Sequence, residues 1–291
     1  EIGLGIPAEP LFRSASTMTS WKGRIHVVGK CIYYFFTRQT EKPDVFYLWL
    51  SAEEFPNREN DLPADLLAVI DAFGVRLCWT ETNEYIYKRW NIYPQHYSDM
   101  VISIDDDILF DSRLVEVAKK HLSERNVVYG IFKDLMYQYA FVPGNTRNYN
   151  LEEPLSLRYR WLGCSVICPN SFPMEAMSDE NKVLRDKICR RCDETWLKPF
   201  SLMNDTKIGY LDCEYKHSLV YGALQNKDAT WYHLYKSYDG FMVRDYQLWV
   251  NLYHFPEHLE RFKQVFPDYN AEFYEKKGID FCLGVLREND A

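Results

Sequence analysis

Phe46-Tyr-Leu-Trp-Leu50, Pro63-Ala-Asp-Leu66-Leu67-Ala-Val-Ile70-Asp-Ala-Phe73-Gly74 and Val75-Arg-Leu-Cys-Trp79 follow one another along the chain, and their alternation decides the fold class. The first is a short continuous apolar run, as in a strand buried on both faces. The second opens with proline where a first helical turn tolerates it and spaces Leu66, Leu67, Ile70 and Phe73 as one helical face. It ends on Gly74, a residue suited to a C-terminal cap. The third is again strand-like. Upstream, residues 25–38 read as a helix with apolar residues on more than one side. Downstream come a strand at Met100–Ile104, a helix from Ser112 to about Glu124, and a strand from Val127. Strand and helix in alternation predict an α/β fold with a mostly parallel sheet covered on both faces. Ligands of such sheets bind beyond the carboxyl ends of the strands.

Past Phe132 the alternation breaks down. Residues 133–160 read as loop with a turn at Pro143-Gly-Asn145. A strand near 164–168, a helical stretch over 178–204, a strand near 208–212 and a helical C-terminus follow. There is no internal repeat or flexible linker, so the reading is one large domain with an irregular second half. The 34 basic and 42 acidic residues give a net charge of -8, which excludes a general nucleic-acid binder. Rings are abundant, with 22 Tyr, 17 Phe and 8 Trp, more than a core alone requires. Many of them fall in the 133–161 and 231–246 stretches, where packing needs them least.

No apolar run reaches the ~18 residues of a membrane span. Glu1–Pro7 lacks the basic start and apolar core of a signal peptide. The eight cysteines then read as reduced thiols in a cytosolic protein. Cys164-x3-Cys168 and Cys189-x2-Cys192 have spacings compatible with zinc, but the first pair lies in an apolar strand and the second lacks turn glycines. Buried free thiols are the preferred reading.

The sharpest feature is Ile102-Ser-Ile-Asp105-Asp106-Asp107-Ile108. Three consecutive carboxylates at the end of a buried strand repel one another unless a cation sits among them. Strand period would put Asp105 and Asp107 on one side and Asp106 on the other. Two carboxylates with open positions beside them suit Mg²⁺ or Mn²⁺ bridging to phosphates. The competing reading is a solvated acidic turn before a helix capped by Asp111 or Ser112. An EF-hand loop fails because its sixth position is Phe110 rather than glycine. The phosphate-binding glycine motifs of P-loops and dinucleotide folds are absent.

Asp105-x-Asp107 after an apolar strand resembles the D-x-D motif of GT-A glycosyltransferases. Thr19-Ser-Trp-Lys-Gly-Arg24, Leu48–Pro56, Tyr87-Lys88 and Asp99–Ile108 extend the likeness to bacterial surface-polysaccharide glycosyltransferases. Asp193-Glu194-Thr-Trp196 is similar to their later acidic-acidic-x-Trp element. The similarity spans roughly residues 17–212, and Trp161-Leu-Gly-Cys-Ser165 matches the family's glycine-rich acceptor segment only in part. The resemblance implies a GT-A catalytic domain over 1–250, with a nucleotide-sugar half at about 15–132 and an acceptor half at about 133–250. Residues 251–291 would be a helical extension.

The resemblance also implies roles. Thr19, Ser20 and Arg24 would line the nucleotide pocket, Arg24 near the diphosphate. Ser51, Glu81 and Lys88 would approach the donor, and Tyr85 or Tyr87 would stack on the base. Asp107 would bind the metal directly, with Asp105 on ribose or metal, Asp106 in support and His233 as a later ligand. Asp193 or Glu194 would be the general base that deprotonates the acceptor hydroxyl. The implied donor is a nucleotide-sugar, a UDP-sugar foremost, and the acceptor a glycan or lipid-linked glycan, at the cytoplasmic face of a bacterial membrane. Arg261, Lys263, Lys276 and Lys277 on the C-terminal helices are the candidate membrane contacts. A nucleotidyltransferase or pyrophosphorylase, and a catalytically silent sugar-binding protein of the same fold, are the other readings. The first would carry a glycine-rich basic loop where Thr17–Arg24 is poor in glycine.

Overall fold

The computed structural model describes residues 13–131, 164–213, 215–217 and 240–290. Seven strands form one sheet: β1 (Ser14–Thr19), β2 (Val45–Ser51), β3 (Arg76–Thr80), β4 (Met100–Ile104), β6 (Val127–Gly130), β7 (Cys164–Ile167) and β8 (Lys207–Tyr210). Their order is β3-β2-β1-β4-β7-β6-β8. The β1–β2, β2–β3, β1–β4 and β6–β8 pairs are parallel, while β7 runs antiparallel to both β4 and β6. The expected mixed α/β, Rossmann-like class is therefore the one found, with β7 as the reversal. A separate ribbon pairs β5 (Ile108–Phe110) with β9 (Tyr215–His217).

Strand alternation sends side chains into two cores. On one face Met18, Phe46, Leu48, Leu50, Ile102 and Ile104 meet α1 (Ile25–Arg38), α2 (Ala64–Phe73) and α3 (Leu114–Lys119). On the other, Ala15, Tyr47, Val101 and Ile167 meet α4 (Asp179–Ile188), α5 (Asp193–Met203) and the C-terminal helices. These are α6 (Gly240–His254), α7 (Pro256–Val265), α8 (Ala271–Lys277) and α9 (Ile279–Asp290). The 251–291 segment thus begins within α6, whose Leu248, Trp249 and Leu252 share a core with Trp196 and Phe200 of α5.

Local chemistry explains the boundaries. Gly74 ends α2 at φ 63°, a left-handed geometry that costs a side chain dearly. Gly29 lets α1 approach α2, because a Cβ there would lie 3.2 Å from the Cα of Leu66. The helix expected over 112–124 is regular only from Leu114 to Lys119. Asp111 accepts from the Arg113 amide at 2.8 Å, a local turn rather than a helix cap. The 178–204 stretch divides into α4 and α5 at a turn through Arg190 and Arg191. Among the described residues no helix is long and apolar enough to cross a membrane.

Candidate active site

The chain runs outward from β1 to β2 and β3, then returns to the other side of β1 as β4. The sheet's switch point therefore lies between β1 and β4, and it is beyond the carboxyl ends of such strands that α/β sheets bind their ligands. β1 ends at Thr19 and β4 at Ile104, so Ser20 and Asp105–Asp107 face each other across the switch point. Ser20 Oγ donates to Asp106 Oδ2 at 2.5 Å. Arg24, the residue before α1, donates to Asp106 Oδ1 and to Asp107 Oδ2, the latter at 3.2 Å. Asp106 is thereby buried and engaged at both oxygens. Burial works against the Arg24 charge, but Asp106 and Asp107 outweigh it and hold the guanidinium firmly protonated.

Asp105 turns to a different partner. Arg89 Nη1 donates to Asp105 Oδ1 at 2.6 Å, while Arg89 Nε and Nη2 donate to Asp193 Oδ2 at 3.1 and 2.7 Å. Trp90 Nε1 adds a third bond to the same Asp193 oxygen at 2.7 Å. Thr17 of β1 fixes this segment by donating to the Arg89 carbonyl at 2.9 Å. One buried guanidinium thus ties the end of β4 to the first residue of α5. Strand alternation does not sort the three acids as expected, because β4 ends at Ile104 and the turn sets their directions. Asp106 and Asp107 share Arg24, and Asp105 belongs to Arg89. Burial pushes the Asp105 carboxyl up to about 7; Arg89 opposes that shift and Asp107 adds to it.

The remaining candidates divide. Asp193 is 3 % exposed, and its Oδ2 takes three donors. Glu194 is also buried and pairs with Lys198 at 3.3 Å, one helical turn on. Burial, opposed by Glu194, brings Lys198 down to about 8. Lys88 is buried against Glu54 and Asn83, each at 3.2 Å, and burial lowers its pKa. Ser51 Oγ accepts from the Glu53 amide at 3.2 Å, and Thr19 Oγ1 donates to the Trp49 carbonyl at 2.9 Å. Glu81 pairs with Arg58 in solvent, where it adds little. Tyr87 is buried, its hydroxyl donating to the carbonyls of Cys189 and Cys192. His233 and, of the expected acceptor half at about 133–250, residues 133–163 and 218–239 lie outside the described residues.

The donor set suits a hard divalent cation in its chemistry. Asp105 and Asp107 side chains are 25 % and 22 % exposed, and each keeps an oxygen that no described hydrogen bond reaches. Four carboxylates, those of Asp105, Asp106, Asp107 and Asp193, face two guanidiniums, those of Arg24 and Arg89. Among the described residues no three His, Cys, Asp or Glu side chains converge as a complete metal cage. Cys168 and Cys189 are buried free thiols.

Sequence reasoning passed over Arg89 and Trp90. Both lie in the 3₁₀ segment Tyr85–Ile92, which shows neither helical nor strand period. A usable signal was the basic Lys88-Arg89 pair itself, set among rings ahead of the acidic strand end.

No family model matches the chain, and no curated protein matches it. Solved structures that it resembles include S. aureus TarS, at 12% identity and a TM-score of 0.39 over 84% of this chain and 44% of that one. A 1–349 form of TarS gives 13% and 0.38 over 87% and 72%. GalNAc-T7 with UDP, GalNAc and Mn²⁺ gives 10% and 0.44 over 93% and 57%. The chain spans less than half the length of the longer TarS chain to which it is similar.

Proposed function

We propose that the chain is a glycosyltransferase that moves a sugar from a nucleotide-sugar, a UDP-sugar by family resemblance, to a glycan or lipid-linked glycan. The observation that carries this reading is the Asp105–Asp107 run at the switch point. Its carboxylates outnumber the guanidiniums that hold them, and Asp105 and Asp107 are partly exposed, each with an oxygen that no hydrogen bond among the described residues reaches. A divalent cation, Mn²⁺ or Mg²⁺, held by Asp107 with Asp105 would supply Lewis-acid neutralisation of the leaving diphosphate. Asp106, engaged by Ser20 and Arg24, anchors the loop rather than meeting the donor.

Of the two acids that open α5, we assign proton acceptance from the acceptor hydroxyl to Glu194. Asp193 is a positioning residue, because Arg89 and Trp90 occupy its Oδ2. We assign peripheral membrane contact to exposed Phe273 and Phe281, which flank Lys277 at 5.5 and 5.3 Å from its Nζ. Co-sedimentation with anionic vesicles, lost in Phe273→Ser/Phe281→Ser, checks it.

Thermal-shift titration with nucleoside diphosphates and nucleotide-sugars, with and without Mn²⁺, tests the main reading. Stabilisation that needs the metal and disappears in Asp107→Ala is expected. Glu194→Gln should bind the donor and not turn it over. No response to any of these nucleotides would refute the proposal.

A further inference from the structure

Tyr85 opens the 3₁₀ segment that carries Arg89, and it sits at φ 51°, a left-handed geometry that is strained for a ring-bearing residue. Its amide donates to Asn83 Oδ1 at 2.9 Å, which fixes it there. Two guanidiniums lie over its ring, Arg190 at 4.4 Å and Arg191 at 5.2 Å from the centroid. Among the described residues neither arginine has a carboxylate partner, and the Arg191 Nε is buried with no hydrogen bond at all. Such orphaned donors are rare in folded proteins and call for a partner. Adjacent like charges also repel, and this chain of net charge -8 has acids to spare for neutralising them elsewhere.

Position gives the pair its meaning. The Arg190-Arg191 turn links α4 to α5, and Tyr87 pins both ends of it by donating to the Cys189 and Cys192 carbonyls at 2.9 and 3.1 Å. The next residues are Asp193 and Glu194. Two cations stacked on Tyr85 are therefore held on the turn that leads into α5, three and four residues ahead of the acid assigned to the acceptor hydroxyl. Arg24 and the Asp105–Asp107 run are joined to the first residue of α5 through Arg89. Planar guanidiniums stacked on a ring present their N–H edges to an oxyanion, a geometry that suits phosphate and carboxylate.

We propose that Arg190 and Arg191 form an anion subsite that receives a phosphate or carboxylate group of the acceptor, so the acceptor is an acidic saccharide rather than a neutral one. The word acceptor rests on the function proposed above; anion binding by the pair does not.

Calorimetric titration of the intact chain with glycerol phosphate, glucuronate and neutral glucose, and separately with UDP and Mn²⁺, tests it. Expected are binding of an anionic probe that weakens as NaCl is raised, no binding of glucose, and preference between the two anions that names the group. Arg190→Gln/Arg191→Gln should weaken the anionic probe at least tenfold and leave UDP–Mn²⁺ binding within twofold. If that double variant does not fold, Arg191→Gln alone carries the same comparison. Equal anion affinity in variant and wild type overturns the subsite, as does absence of anion binding in wild type. UDP binding lost in step with the anion overturns it too, because the pair would then serve the donor diphosphate. A wild type that ignores UDP but loses the anion in the variant refutes the glycosyltransferase reading and leaves the anion subsite standing.

Discussion

Arg89→Met is the most informative single perturbation of this fold. Wild-type Arg89 is buried and makes two bonds to Asp193 and one to Asp105. Methionine fills much of the same volume without charge, so cavity formation contributes little. What remains is a buried Asp193 carboxylate that keeps Trp90 as its donor, and a partly buried Asp105 that has lost its Arg89 bond. Breaking a buried pair from one side costs about 3–5 kcal/mol, because the surviving charge has lost its solvent and its partner. Arg58→Met is the control, since Arg58 and Glu81 are exposed and such a pair is worth about 0–1 kcal/mol. Asp193→Asn keeps an oxygen for Trp90 and removes the stranded charge. Arg89→Met/Asp193→Asn should therefore lose at least ~2 kcal/mol less than the sum of the two single variants. Urea denaturation with a common slope measures all four. A loss under about 1 kcal/mol in Arg89→Met, or strict additivity in the cycle, would show that the bridge is not what joins β4 to α5.

Two further expectations concern stability away from the switch point. Lys198 titrates near 8 in the folded chain and near 10.5 when unfolded, so between these values the unfolded state holds more protons and stability rises with pH. Wild type should gain on the order of 3 kcal/mol over Lys198→Met from pH 7 to 10, and parallel denaturation curves for the two would refute it. Gly29→Ala should cost about 1–3 kcal/mol by crowding Leu66, whereas Gly284→Ala, with open space in α9, should stabilise by about 0.5–1 kcal/mol. Melting temperatures that moved in the same direction would contradict the packing described for α1 and α2.

The half of the fold built from neighbours in sequence was legible. β2, α2 and β3 each carry their own signal, in a continuous apolar run, a capped helical face and a second run, and parallel pairing follows from the helix between them. The reversal at β7 was not, because it lies 60 residues beyond β4, and its apolar run fits either direction of pairing. The acids of the switch point were visible for a related reason: like charges in a row at a strand end stand out in one dimension. Their counter-charges were invisible. Arg89 meets Asp193 across 104 residues, and nothing local distinguishes a buried arginine from a solvated one. Alternation misassigned the directions of Asp105–Asp107 because it was carried past the last hydrogen-bonded residue of β4, where the turn takes over.

The excess of acid at the switch point argues about purpose as well as placement. Two arginines would be matched by two carboxylates, and Asp106 and Asp193 already take both. Asp105 adds to a charge that Arg89 can share; Asp107 adds a further one, and its field raises the proton affinity of both Asp105 and Asp106. Among the described residues its one hydrogen bond, to Arg24 at 3.2 Å, duplicates what Asp106 supplies to the same side chain. A residue that contributes little to the fold and loads its neighbours is the kind retained for function at a cost in stability. Asp107→Asn, which keeps the shape and removes the charge, should therefore raise the stability of the metal-free chain, by on the order of 1 kcal/mol. The same substitution should abolish the further stabilisation that Mn²⁺ with UDP gives to wild type. The two melting curves would then cross in order between EDTA and Mn²⁺–UDP. An Asp107→Asn chain less stable than wild type in EDTA would mean that the third carboxylate is a structural partner of Arg24, and the case for a cation among these acids would lose its main support.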